Sequence, residues 1–177
     1  MKRKRIRPVI AAGAATIVLL AGCTSPEDAN YIEVTVGKLT IDRPAAWATE
    51  VPTEEPWTAG WAVAADSIEQ IRLSGDFGDY TSAAEGAATL TAQAQVTFEG
   101  FEIVESRDVE LRGATTGRLV RFTIDDPQGN DVVGTWIVGA VWPYPQSAAV
   151  ATLTPTHDPD LERRLLESFE ISADTGR

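Results

Sequence analysis

Thr116-Gly117-Arg118-Leu119-Val120-Arg121-Phe122-Thr123-Ile124-Asp125, then Asp126-Pro127-Gln128-Gly129-Asn130-Asp131, then Val132-Val133-Gly134-Thr135-Trp136-Ile137-Val138-Gly139-Ala140-Val141-Trp142: this uninterrupted run decides the fold. In its first part Val120, Phe122 and Ile124 alternate with Arg121, Thr123 and Asp125, the two-residue period of a strand with one buried face. Leu119 falls outside that alternation. The second part is a turn, because Pro presets φ, Asp and Asn bond their own backbone, and Gly accepts positive φ. The third part is apolar at nearly every position, as expected of a strand covered on both faces. Two strands joined by so short a turn run antiparallel. Ser147 to Thr154 has the composition of the next antiparallel neighbour.

Outward from this hairpin the same patterns recur. Tyr31 to Val36 and Leu39 to Asp42 alternate on either side of Gly37-Lys38, which reads as a second hairpin with a two-residue turn. Arg43-Pro44-Ala45-Ala46-Trp47 follows as a turn, and residues 48–56, rich in Pro and Glu, as an exposed loop. Trp57–Ala65 and Ile68–Leu73 read as strands, Gly75-Asp76-Phe77-Gly78-Asp79 as a loop, and Phe101–Leu111 as one bent strand or two. Two helices interrupt the strands. Ser82-Ala83-Ala84-Glu85 has the form of a capping box, and Ala83, Ala87, Leu90 and Ala94 share one face of the helix it opens. Asp158-Pro159 marks a second start, with Leu161, Leu165 and Phe169 on one face and the helix running over 159–168. Phe169-Glu170-Ile171 closes the chain as a short edge segment. The sum is an α+β domain, an antiparallel sheet with helices packed on it. Trp47 and Trp136 are expected in the core.

Nothing in the sequence names a reaction. His157 is the single histidine, beside a helix start, and reads as a loop residue; without a Gly-x-Ser-x-Gly elbow no Ser-His-Asp set is suggested. A histidine-rich zinc site is excluded by count. Asp125-Asp126…Asn130-Asp131 and Asp76/Asp79 offer carboxylates without calcium-loop spacing, so hairpin and loop readings outweigh a metal site. No catalytic residue, metal or cofactor is expected. Arg107, Arg112, Arg118 and Arg121 read as a solvated face paired with nearby acids, with an anion-binding patch as the alternative. Trp57, Trp61, Trp142 and Tyr144 stand on or beside Pro-containing loops and are the candidates for ligand or partner contact.

The N-terminus carries its own signal. Five basic residues precede a short apolar run, Val9–Ala21, too short for the roughly 20 residues of a membrane span. Leu20-Ala21-Gly22-Cys23 resembles the lipobox of bacterial lipoproteins, which implies removal of residues 1–22 and lipidation of Cys23, the only cysteine. Residues 23–30 then form a lipidated tether that reaches about 25 Å at about 3.3–3.6 Å per residue. Residues 31–172 form one domain, and 173–177 a tail. Past residue 22 there are 10 basic and 26 acidic residues, a net charge near −16. Such a chain lacks the basic footprint of nucleic-acid binding, and the lipid supplies its membrane affinity. Three lysines against twelve arginines point to a GC-rich, actinobacterial source.

Leu39-Thr40-Ile41-Asp42-Arg43-Pro44-Ala45-Ala46-Trp47, Leu111-Arg112-Gly113-Ala114…Leu119-Val120-Arg121-Phe122 and Leu165-Leu166-Glu167-Ser168-Phe169-Glu170-Ile171 resemble the opening strand, middle strand pair and closing helix of PsbP-like domains. The resemblance is nearest to the lipidated, actinobacterial LpqN-like members. It implies an α/β/α sandwich and a non-catalytic binding or accessory role. The expected function is therefore a lipid-anchored accessory protein at the extracytoplasmic face of the cell membrane, acting on a protein partner in the envelope. The alternative is a binder or carrier of a small apolar ligand, such as a lipid or cell-wall precursor, held between the sheet and helix 82–96. That alternative requires an apolar cavity of roughly 300 Å³ or more.

Overall fold

The computed structural model describes residues 30–143 and 146–172, and Cys23, the signal segment, Tyr144 and the tail 173–177 lie outside the described residues. In chain order the elements are β1 (Tyr31–Val36), β2 (Leu39–Pro44), β3 (Thr49–Glu50), β4 (Ala59–Ala62), β5 (Gln70–Gly78), α1 (Ala83–Thr97), β6 (Glu102–Asp108), β7 (Thr116–Asp125), β8 (Asp131–Val141), β9 (Gln146–Thr154), α2 (Pro159–Ser168) and β10 (Glu170–Ile171). The class is α+β. The strands form a seven-stranded sheet, β3-β4-β5-β9-β8-β7-β6, and a separate three-stranded one, β1-β2-β10, with antiparallel pairing throughout.

The deciding hairpin is in continuous register from Thr116↔Ala140 to Asp125↔Asp131. Asp126 closes its turn, accepting through Oδ1 from the backbone N–H groups of Gln128 and Asn130, both at 2.8 Å. Side-chain and backbone donors of Asn130 hold the Asp126 carboxyl below its ordinary range. These are the bonds of a hairpin loop. β8 is buried on both faces from Gly134 to Ala140, because each face of the large sheet carries its own core. On one face Ile71, Leu73, Leu119, Ile137 and Val150 meet α2 and the small sheet through Leu39, Ile41, Leu165 and Phe169. On the other, Val120, Phe122, Trp136, Val138 and Ala149 meet α1 through Ala83, Ala87, Leu90 and Ala94. Leu119 does not interrupt the strand. It points into the first of these cores while its neighbours point into the second.

Several elements differ from the sequence reading, among them β3, Thr49–Glu50, within the stretch 48–56 read as an exposed loop. Residues 75–78 are strand, not loop: β5 runs to Gly78, and a register shift between Ser74 and Gly78 turns Phe77 toward α1. Gly75 lies under the β1–β2 turn, where a Cβ would overlap the Val36 carbonyl oxygen; the glycine permits close approach instead of breaking the strand. The strand expected over Trp57–Ala65 shrinks to β4, and Trp57 stands in the loop before it, its N–H bonded to the Glu54 carbonyl at 2.9 Å. The first hairpin does not join the main sheet. Its apolar face packs across that sheet, and β10 extends it at Glu170↔Thr40 and Ile171↔Leu39. Phe101–Leu111 contributes one strand, β6, bent by a register shift between Ile103 and Glu105.

The helices begin where the caps are written. Ser82 Oγ accepts from Glu85 N–H at 3.3 Å, while Glu85 reaches back to Thr81, accepting from its N–H at 3.0 Å and hydroxyl at 2.9 Å. The return bond of the capping box is thus displaced by one residue. Asp158 Oδ1 accepts from Asp160 and Leu161 N–H at 3.1 and 3.0 Å, with Pro159 in the first turn. Trp47 and Trp136 are both buried.

Candidate functional site

α1 is a thin helix. Its buried face holds Ala83, Gly86, Ala87, Leu90 and Ala94, and a Cβ at Gly86 would stand 3.1 Å from Phe77 and Val138. Small residues bring its axis near the sheet, and Leu90 is the one large side chain on that buried face, which looks toward β5 and β9. A groove of about 380 Å³ remains there. Its floor is the sheet surface of Phe122, Trp136, Ala151 and Leu153, and one wall is α1 from Leu90 to Thr97 with Phe98 just beyond it. The loop Glu54–Trp57 closes the far side, and Gln70 and Arg72 of β5 complete the floor.

The aromatic floor is fixed by mutual packing. Phe122 and Trp136 have ring centroids 4.2 Å apart, and Phe101 lies 5.4 Å and 5.9 Å from them. Trp57 stacks on Phe77 at 6.1 Å, and Phe77 meets Tyr80 at 5.2 Å with the rings tilted by 38°. An aromatic and aliphatic floor bordered by polar groups, Gln70, Arg72, Gln93 and Thr152 among them, is the make-up of a small-molecule site, and the volume lies in the usual range of about 300–1,000 Å³.

The tryptophans singled out by sequence do not meet. Trp57 lines the groove. Trp61 lies across the sheet from it, packed against the other core, with the Arg43 guanidinium 5.1 Å from its ring centroid. Arg43 also donates to the carbonyls of Pro44 and Trp47 at 3.1 and 2.6 Å, so Trp61 belongs to a structural clamp. Trp142, 54% exposed, follows β8, and its N–H donates to Thr115 Oγ1 at 3.1 Å. Tyr144 lies outside the described residues. Sequence reasoning missed Phe122, Trp136, Leu153 and Arg72 as one surface. The signal was present in parity: Trp136 shares a face with Val138 and Ala140, the face that an alanine-rich helix must cover.

The four arginines of the sequence reading are paired with acids. Arg118 meets Asp108 at 2.8 Å, Arg112 meets Glu170 at 3.0 Å, and Arg107 meets Glu105 at 2.9 Å. Arg121 binds Glu105 at 2.9 Å and Glu162 at 2.8 Å. Glu162 is buried on α2 and also engages Arg107 and His157, each at 3.2 Å. Burial pushes its carboxyl pKa up, but hydrogen bonds and charge from Arg121 and His157 outweigh burial and leave it below the ordinary value. Glu162 thereby ties α2 to β6 and β7, and His157 joins the entry of α2 to the same carboxylate. Among the described residues no cluster of His, Cys, Asp and Glu has the arrangement of a metal site.

Among the described residues no helix is long and apolar enough to cross a membrane. In comparison with known proteins, no family model matches the chain, and no curated protein is significantly similar to it.

Proposed function

We propose that this chain is a lipid-anchored extracytoplasmic binding protein, PsbP-like in fold and nearest to the LpqN-like lipoproteins, that carries a small apolar ligand in the α1 groove. The single observation that carries this reading is the aromatic-floored groove of about 380 Å³ between α1 and the sheet, which meets the size a ligand requires. Lipidation at Cys23 would hold the groove close to the membrane from which such a ligand comes. The reading assigns no catalytic residue, metal or cofactor. Its test is solvent extraction of the full-length chain purified from membranes, followed by mass spectrometry. A near-stoichiometric apolar species is expected with the native chain and is lost in Ala151→Phe, which fills the groove floor. Equal recovery from both would refute it.

The protein-partner reading is supported by a different observation. Val96 at the end of α1, Phe98 just after it, and Ile103 and Val104 at the start of β6 are exposed at 86%, 43%, 41% and 59%. Clustered exposed apolar side chains fit a contact surface. Crosslinking in cells tests it: a reproducible partner captured through 96–104 supports that reading, and none counts against it.

A further inference from the structure

Arg72 stands apart from the other arginines. Eight are described, and seven of them bind a carboxylate or main-chain carbonyls: Arg107, Arg112, Arg118, Arg121, Arg163 and Arg164 are ion-paired, and Arg43 is held by two carbonyls. Arg72, half-buried in β5, donates only from Nε, to the neutral Gln70 Oε1 at 3.2 Å. Its terminal nitrogens have no acceptor among the described residues, although the chain carries 26 acidic residues. Its strand neighbours at this point are Gly60 and Ala151, which bring no charge. Arg72 lines the groove together with Trp57, Trp136 and Leu153.

We infer that Arg72 receives an anionic group, so that the occupant of the groove is an anionic amphiphile: a carboxylate or phosphate head joined to an apolar chain. This rests on the reading of the groove as a ligand site and adds the charge of the ligand. A planar guanidinium with free terminal N–H groups suits two-pronged recognition of such heads. The apolar chain lies along Trp136, Phe122 and Leu90. Glu54 and Glu55 also border the groove, but both are exposed on the loop, where water screens them more than it screens Arg72 in the sheet. The anion therefore sits at the β5 side, beside Arg72 and away from the loop.

The test uses the full-length chain in neutral nanodiscs, photolabelled with diazirine-bearing C12 probes that differ only in the head: carboxylate, phosphate, alcohol and trimethylammonium. Probe partition into the disc is common to all variants, so the comparison between variants is what is read. Labelling of peptides spanning 90–98 and 151–154 by the two anionic probes is expected to fall at least about tenfold in Arg72→Gln, with labelling by the alcohol changed less than about twofold. Arg72→Lys retains the charge and is expected to fall in between. Competition separates the sources of the anion: unlabelled dodecyl phosphate should displace the probe where equimolar inorganic phosphate does not. Displacement by inorganic phosphate at equal concentration would overturn the amphiphile. Equal labelling by acid and alcohol, indifferent to Arg72→Gln, or preference for the ammonium probe, would overturn the anion while leaving the groove. Failure of every probe to label these peptides would overturn the groove itself.

Discussion

The two faces of the seven-stranded sheet are built by opposite means. The α2 face is sealed with large side chains: Leu39, Ile41, Leu165 and Phe169 are fully or almost fully buried, and a network around Glu162 holds α2 to the sheet edge. The α1 face is roofed by a helix of alanines, whose contact depends on closeness more than bulk, and it keeps an open groove beside it. A small domain that must both fold without disulfides and hold something apolar can divide the two tasks between faces. One face is filled, and the other gives up part of its packing to a groove.

The largest expected difference comes from matched truncations. Leu165→Ala should destabilise by about 4–5 kcal/mol in urea unfolding, because its side chain is enclosed in the core between α2 and the two sheets. Leu90→Ala on the α1 face should cost about 2 kcal/mol, at the low end for a buried leucine, since the groove already leaves its side chain with fewer neighbours. Equal losses, or a reversed order, would break the contrast between the faces.

Next comes Glu162→Gln, expected to cost about 2 kcal/mol near neutral pH through lost charged hydrogen bonds. The folded carboxyl titrates below its ordinary value near 4.5. Its contribution is therefore present above that value and is lost as pH falls through the folded pKa. The stability gap between native chain and variant should be constant from neutrality to about pH 5 and close in more acidic solution. A gap that widens on acidification would contradict the role given to Glu162. Ser82→Ala should cost about 1 kcal/mol by removing the α1 cap, measurable in the same urea assay, with groove labelling retained. Smallest of all, Trp142→Ala should leave stability within about 0.5 kcal/mol, because its side chain is more than half exposed.

Much of this contrast was legible in the residues. The hairpin 116–142, both helices with their caps and the alanine face of α1 are local patterns, set by period and turn chemistry, and they stand in the structure with nearly the expected bounds. What escaped was non-local. Phe77 reads as loop because Gly75 and Gly78 flank it, yet those glycines serve a close approach of the first hairpin and a register shift. Leu119 reads as an irregularity unless both faces of the strand are known to be covered. The groove combines residues from 54 to 153, and Arg72, without a carboxylate partner among the described residues, is distinguished only by what the other described arginines touch. Glu162 gave no signal beyond its place beside Leu161 on the helix, since its partners lie on strands far off in the chain.

Of the two faces, the α1 face is the one proposed to open to a ligand. Hydrogen exchange of the full-length chain with and without dodecanoate, resolved by peptide, tests this most directly. Added protection is predicted in 54–57, 90–98 and 151–154, with none in 159–171. Protection gained across α2 and β10 instead, or nowhere along the chain, would contradict it.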